Sequence, residues 1–451
     1  MITDTANQPA NQMTSALMLH PEIEQLSPAA LRQLQDEKWA RQCAYVADRS
    51  SFYARKLGNV RKAAASLEAL KDTPLTDKEE IRDSQQECYP YGDYIACEPD
   101  QVVRLHRTSG TTGKALILAN TAKDLAIIAE QGGRGMVASG LRPGDKVIHC
   151  LNYCLWTGGV TDHMILEATG ATVIPFGVGN TKLLVNTILE LGITAISCTP
   201  SYPALLEKVL REEFDKVPCE LGLRLALFGG EPGLDNPAFR EGLEARWGFG
   251  ARNANFGMSE VMSIMGSQCE HTTDLHYLSG DMIFYEILDP SSGERLDCEE
   301  GVTGELVCTH LEKQCQPLIR YRTRDVITIT GTDVCGCGRR SMRFRVTGRT
   351  DDMFNVRGVN VFPTAVQKVV LGFGELTSGH FRIQLQGSGP YDRIVMRVEA
   401  ARDLPEIRWT DAKKSLERAI QQAIGATASI QMIGFEALQR TAGKTSLVER
   451  S

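Results

Sequence analysis

Two glycines, four hydroxyls and one amine are packed into Thr108-Ser109-Gly110-Thr111-Thr112-Gly113-Lys114. Glycines permit backbone conformations that a β-carbon forbids, the hydroxyls donate hydrogen bonds, and Lys114 adds a mobile charge, so this loop suits phosphate. It is not a Walker loop, which needs glycine where Thr108 stands and Ser or Thr where Ala115 stands. Further along, Asn255-Phe256-Gly257-Met258-Ser259-Glu260 follows a Gly229-Gly230-Glu231-Pro232 turn. Glu260 is a hard oxygen ligand of the kind that holds magnesium beside substrate phosphates. The polar run Arg320-Tyr321-Arg322-Thr323-Arg324-Asp325 offers a carboxylate, Asp325, that could accept hydrogen bonds from both hydroxyls of a ribose. Arg349 and Asp351 in Gly348-Arg349-Thr350-Asp351-Asp352-Met353, and Lys444 near the C-terminus, complete the charged groups of interest. Taken singly, the loop is equally compatible with an ordinary Ser/Thr-rich turn, and each of the other pieces reads first as a solvated turn, a charged edge or a lysine of no special role. Cys335-Gly336-Cys337-Gly338 is different in kind, two thiols on a tight glycine turn that suits one zinc ion.

The segments between these residues predict the frame that must hold them. Ser27-Pro28 reads as an N-cap and first helical position, opening a helix that ends near Arg49. The phosphate-type loop follows a strand, QVVRLHR. DKVIHCLNY, ATVIPFG, ITAISCTP and LRLALFGG are strand-like and alternate with helical stretches, which implies right-handed βαβ crossovers and a largely parallel sheet. Ligand sites in such sheets gather at the carboxyl ends of the strands, where Gly229 to Pro232 and Asn255 to Glu260 are expected. After about residue 280 the pieces shorten to MIFYEILDP, GELVCTHL and VITITG, predicting a mostly antiparallel β-rich subdomain attached to that core. From Asp351 onward a small α+β unit is expected, so the domains are placed at 1–350 and 351–451.

Composition narrows the partners. The chain has 451 residues with a formal charge of −7, which gives no general attraction to nucleic acid or to an anionic membrane. No uninterrupted apolar stretch approaches the roughly 18 residues that a spanning helix needs, and the polar N-terminus lacks the pattern of a secretory signal. A cytoplasmic protein is expected, its 13 cysteines serving as buried thiols or metal ligands rather than disulfides. Cys150, Cys154 and Cys198 read as small core residues.

In this order, and together with Trp156-Thr157-Gly158-Gly159, Thr199-Pro200-Ser201-Tyr202 and Pro317-Leu318-Ile319, the motifs resemble the adenylate-forming superfamily of acyl-CoA synthetases. Within it the chain is most similar to the phenylacetate-CoA ligase family. The resemblance implies an α/β fold with a large N-terminal domain and a small, mobile C-terminal one. It implies ATP-dependent activation of an aromatic or arylacetic acid to an acyl-adenylate, then transfer to coenzyme A. By resemblance, residues 108–114, Gly230, Glu231, Asn255 to Ser259, Asp325 and Arg349 bind ATP. Glu260 binds magnesium, Asp351 is the hinge and Lys444 the catalytic lysine. Trp156, Phe228, Gly229 and Phe256 are expected around the acid. Relatives carry a Cys and a His upstream of the Cys pair, so Cys269 and His276, with His271 as the alternative histidine, complete a candidate structural zinc site.

The chain departs from the family pattern at Phe256 (commonly tyrosine), Arg324 (usually glycine) and Ala115 (often proline). Relatives are often dimers, and a homodimer is a further expectation. A second reading keeps adenylation but hands the acyl group to a carrier-protein thiol or an amine. A third makes the chain a zinc-stapled binding protein on a degenerate scaffold, which the presence of Lys114, Glu260, Asp325 and Lys444 argues against.

Overall fold

The computed structural model describes residues 18–58, 66–108, 115–387, 389–438 and 447–450. Ser109 to Lys114 and Lys444, both singled out from the sequence, lie outside the described residues. Ser27 does cap a helix, Pro28–Arg49, its hydroxyl accepting from the Ala30 amide at 3.3 Å.

One 12-stranded sheet runs through the large part of the chain. Its parallel half orders the strands Gly250–Met258, Leu225–Gly229, Ala195–Cys198, Lys146–His149 and Thr172–Pro175. Leu225–Gly229 is buried along its whole length, as a strand covered by helices on both faces must be. Chain order reverses at Lys146–His149, whose sequence successor pairs on one side and the next strand on the other. That reversal opens a crevice at the carboxyl ends of the strands.

The other half is antiparallel: from Gly250–Met258 the sheet continues through Met262–Cys269, Thr272–Tyr277, Arg343–Arg349, Tyr321–Gly331, Thr303–His310, Ile283–Leu288 and Arg295–Leu296. The expected β-rich, mostly antiparallel part is present, and it is attached by hydrogen-bonding edge to edge with the parallel core. Met262–Cys269 makes the join. All eight of its residues are buried although Ser263, Ser267 and Gln268 are polar. Each of these finds a partner inside, for example Ser267 donating to the Ala254 carbonyl at 2.6 Å. A strand buried on both faces has no apolar alternation to display.

Beyond Asp351, a four-stranded sheet and the helices Pro363–Leu371 and Trp409–Ile424 enclose a core of their own, including Phe354, Val366, Phe381 and Leu416. This unit rests on the large part through Thr364, which donates to the Thr347 carbonyl at 2.8 Å, and Asn236, which donates to the Lys368 carbonyl at 3.0 Å. Among the described residues no helix is long and apolar enough to cross a membrane.

Candidate active site

The crevice is built from three loops that leave the parallel strands. Gly230 adopts φ +79°, a conformation that glycine enters without strain, and a β-carbon there would stand 3.7 Å from the Trp156 ring and 3.9 Å from Thr199. Trp156 in turn lies against Gly158 at the start of the helix Thr157–Glu167. Below them His149 is fully buried, bonding Ser197 through Nδ1 and the Gly158 and Gly159 carbonyls through Nε2. Burial pushes this imidazole down to about 4, so it stays neutral and ties two strand ends to the helix start.

Gly257 approaches the Ser263 carbonyl so closely that a β-carbon would overlap it, which explains the glycine before Met258 and Ser259. Phe256 is half-buried and meets Phe344 edge-on at 5.1 Å. Phe228, expected around the acid, is buried in the core of the parallel half, edge-on to Phe249 at 6.0 Å. Strand alternation turns Phe228 away from the face that its neighbour Gly229 presents to Asn255.

Glu260 borders a small cavity with Leu116, Leu118 and Tyr321. Leu116 and Leu118 follow directly on the hydroxyl-rich loop, whose base is closed by Thr108 and Leu116 through a backbone bond of 3.0 Å and a bond to the Thr108 hydroxyl of 3.0 Å. The carboxylate ion-pairs through Oε1 with Lys78, yet that buried oxygen receives no aligned hydrogen bond. A carboxylate placed here is a hard oxygen donor of the kind a divalent cation takes.

Asp325 faces Arg349 across the antiparallel ladder, and Arg349 donates to it at 2.7 Å. The same guanidinium grips Asp351 through two bonds of 2.9 Å. Burial opposes its charge, but Asp325 and Asp351 outweigh that and hold Arg349 more firmly protonated than usual.

Lys78 and Asp77 escaped the sequence reading, because a charged pair at a helix start resembles ordinary capping. In the structure they link the motifs. Glu260 pairs with Lys78, its chain neighbour Asp77 with Arg324, and the next residue, Asp325, with Arg349 and so with Asp351. Arg324 sits at φ +66°, which accounts for the glycine usual at this position in the family. Arg324→Gly should therefore change stability by no more than about 1 kcal/mol, relief of backbone strain offsetting loss of a half-exposed ion pair. Chemical denaturation checks this, and a loss of several kcal/mol would show that Arg324 is a structural anchor.

Cys269, His276, Cys335 and Cys337 are all buried, with one ligand atom from each lying within 4.8 Å of the others. Cys269 Sγ is 3.9 Å from Cys335 Sγ, and Cys337 Sγ is 3.7 Å from His276 Nε2. The edges of a zinc-centred tetrahedron are about 3.8 Å between sulfurs and about 3.6 Å from sulfur to nitrogen, so the four fit that ion. His276 supplies the ring, and its Nδ1 bonds the Ser341 hydroxyl at 3.0 Å. His271 instead gives its backbone amide to Cys269 Sγ at 3.3 Å. Arg339, buried beside Cys337, is ion-paired to Glu24 at 2.6 Å, which ties the start of the described chain to this turn.

The AMP-binding enzyme model matches residues 24–310, and the AMP-binding enzyme C-terminal domain model matches residues 358–449. A phenylacetate-coenzyme A ligase of Thermus thermophilus is 38% identical over 394 residues, 85% of each chain. One of Escherichia coli is 33% identical, covering 94% of this chain and 96% of its own. This chain belongs to the phenylacetate-CoA ligase family of AMP-binding enzymes. It is an AMP-forming acid-CoA ligase with the adenylate-forming fold. Among solved structures, 2-hydroxyisobutyryl-CoA ligase in the postadenylation state with its acyl-AMP superposes with a TM-score of 0.88 at 26% identity, covering 100% of this chain and 95% of that one. The same ligase in its thioesterification state gives 0.70.

Proposed function

We propose that this ligase activates an aromatic or arylacetic acid, and that the residues carried over from the family act where the ion-pair chain gathers them. The chain running from Glu260 through Lys78, Asp77, Arg324, Asp325 and Arg349 to Asp351 is the observation that carries this reading. It joins the magnesium, ribose, nucleotide and hinge positions in one polar seam beside the base of the phosphate-type loop. The substrate carboxylate attacks the α-phosphorus of ATP and pyrophosphate leaves. The coenzyme A thiol then attacks the acyl carbon and AMP leaves. Two anions must meet in the first step, so Lys114 and Lys444 neutralise phosphate and carboxylate oxygens as they bond. Magnesium, held through Glu260, would draw negative charge from the leaving pyrophosphate. Asp325 takes the ribose hydroxyls and Arg349 the nucleotide. Trp156, Gly229 and Phe256 border the acid.

Residues 351–451 act as the mobile domain and Asp351 as its hinge, bringing Lys444 in for the first step and withdrawing it for the thiol. The better superposition on a postadenylation structure than on a thioesterification structure supports a starting pose suited to the first step. Pyrophosphate release across benzoates, arylacetates and heteroaromatic acids, with and without coenzyme A, tests the reading. Release with aromatic acids and thioester only with coenzyme A are expected; activity confined to aliphatic acids, or transfer without coenzyme A, would contradict it.

Cys269, His276, Cys335 and Cys337 would hold a structural zinc, their four donor atoms leaving no position for substrate. Elemental analysis of purified protein should give one zinc per chain. Cys337→Ser should lose it and cost about 2–4 kcal/mol of stability, with little change in activity per folded molecule. Protein purified free of zinc yet equally stable would contradict the assignment.

A further inference from the structure

A polar triad lies under the crevice where an aryl group would call only for apolar wall. Asp162 follows Gly158 by one helical turn, on the face that looks toward Trp156. Its carboxyl is fully enclosed, accepting from Asn255 Nδ2 at 2.6 Å through one oxygen and bonding the Ser263 hydroxyl through the other. The three residues come from a helix and two adjacent strands, and no short motif in the sequence connects them.

The strand register shows why Asn255 stands where it does. Phe228 pairs with Asn253 but Gly229 with Asn255, so a bulge at Ala254 re-aims the asparagine side chain over Gly229. A β-carbon on Gly229 would lie 2.5 Å from that of Asn255, which puts Asn255 against the chain neighbour of Gly230, the glycine that Trp156 and Thr199 face. Asn255 is itself half-buried, unlike Asp162 beneath it. Because Asp162 takes the amide nitrogen, the orientation of the amide is set, and among the described residues nothing donates to its Oδ1. The result is a rigidly held hydrogen-bond acceptor on the wall of the crevice.

We infer that Asn255, clamped by Asp162 and Ser263, is a specificity-determining residue that selects an aromatic acid bearing a hydrogen-bond donor, a hydroxyl or an amino group, on its ring or side chain. This rests on the reading above that the crevice receives an aromatic acid. An acceptor that the bound acid covers discriminates strongly, because an unsubstituted acid would leave it desolvated and unpaired.

The test compares kcat/KM for pyrophosphate release among matched acids carrying H, CH3, OCH3, OH or NH2 at each position. Methoxy fills similar space but cannot donate. At one position, OH or NH2 should exceed H, CH3 and OCH3 by about 10-fold or more. In Asn255→Leu that advantage, taken as a ratio within the variant so that any loss common to all the acids cancels, should fall to about 2-fold. Wild-type enzyme that treats OH, OCH3 and H alike at every position overturns the inference without recourse to any variant, and so does a preference that survives in Asn255→Leu. If no aromatic acid releases pyrophosphate at all, the underlying reading of the crevice fails, a result distinct from activation without preference.

Discussion

Lys444→Ala should slow acyl-adenylate formation by about 10²–10³-fold, the usual effect of removing one preorganised donor from a developing anionic transition state. The described residues that flank it belong to the C-terminal unit: the Leu438 amide donates to Glu399 at 3.1 Å, and Val448 pairs in parallel with Ile383. Once the adenylate exists, the lysine has no further bond to help form, so thioester formation from supplied acyl-adenylate should change by no more than a few-fold. Rapid-quench measurement of the two half-reactions separates the effects. Equal loss of both would assign Lys444 to folding or to coenzyme A binding.

Glu260→Gln should be of similar size, about 10²–10³-fold in adenylation, and should raise the magnesium concentration needed for half-maximal rate by at least about 10-fold. Glutamine keeps the shape and removes the charge. The variant should still fold, because Lys78 is about one-third exposed and can turn to water when its partner is neutralised. Pyrophosphate release titrated with magnesium distinguishes this from simple disruption. An unchanged magnesium requirement would remove Glu260 from the metal site.

Much of the frame was legible because its signals are local. Ser27 and Pro28 announced a helix start, and the four parallel strands named from LRLALFGG and its companions all form. Where burial falls on both faces, the signal fades: Met262–Cys269 reads as a polar mixture, and only its internal hydrogen bonds show why it can be the join between the two halves of the sheet.

The site divides in the same way. Glycine positions were visible, and Gly230 and Gly257 prove to need glycine for backbone conformation and close approach. An aromatic at a strand end does not declare which face it occupies, and Phe228 packs on Phe249. Lys78, Asp77 and Asp162 were missed because their roles depend on partners 182, 247 and 93 residues away. The structure also explains the arginine before Asp325, which the sequence could only mark as unusual: it accepts a left-handed backbone and gains a partner in Asp77.

The most direct measurement of the central claim is a single turnover of wild-type enzyme with excess aromatic acid, magnesium and ATP labelled in the α-phosphate, without coenzyme A. Attack at the α-phosphorus predicts that pyrophosphate appears in step with labelled acyl-AMP, which coenzyme A then converts to thioester and AMP. Labelled ADP, with phosphate released and no acyl-AMP formed at any time, would contradict it.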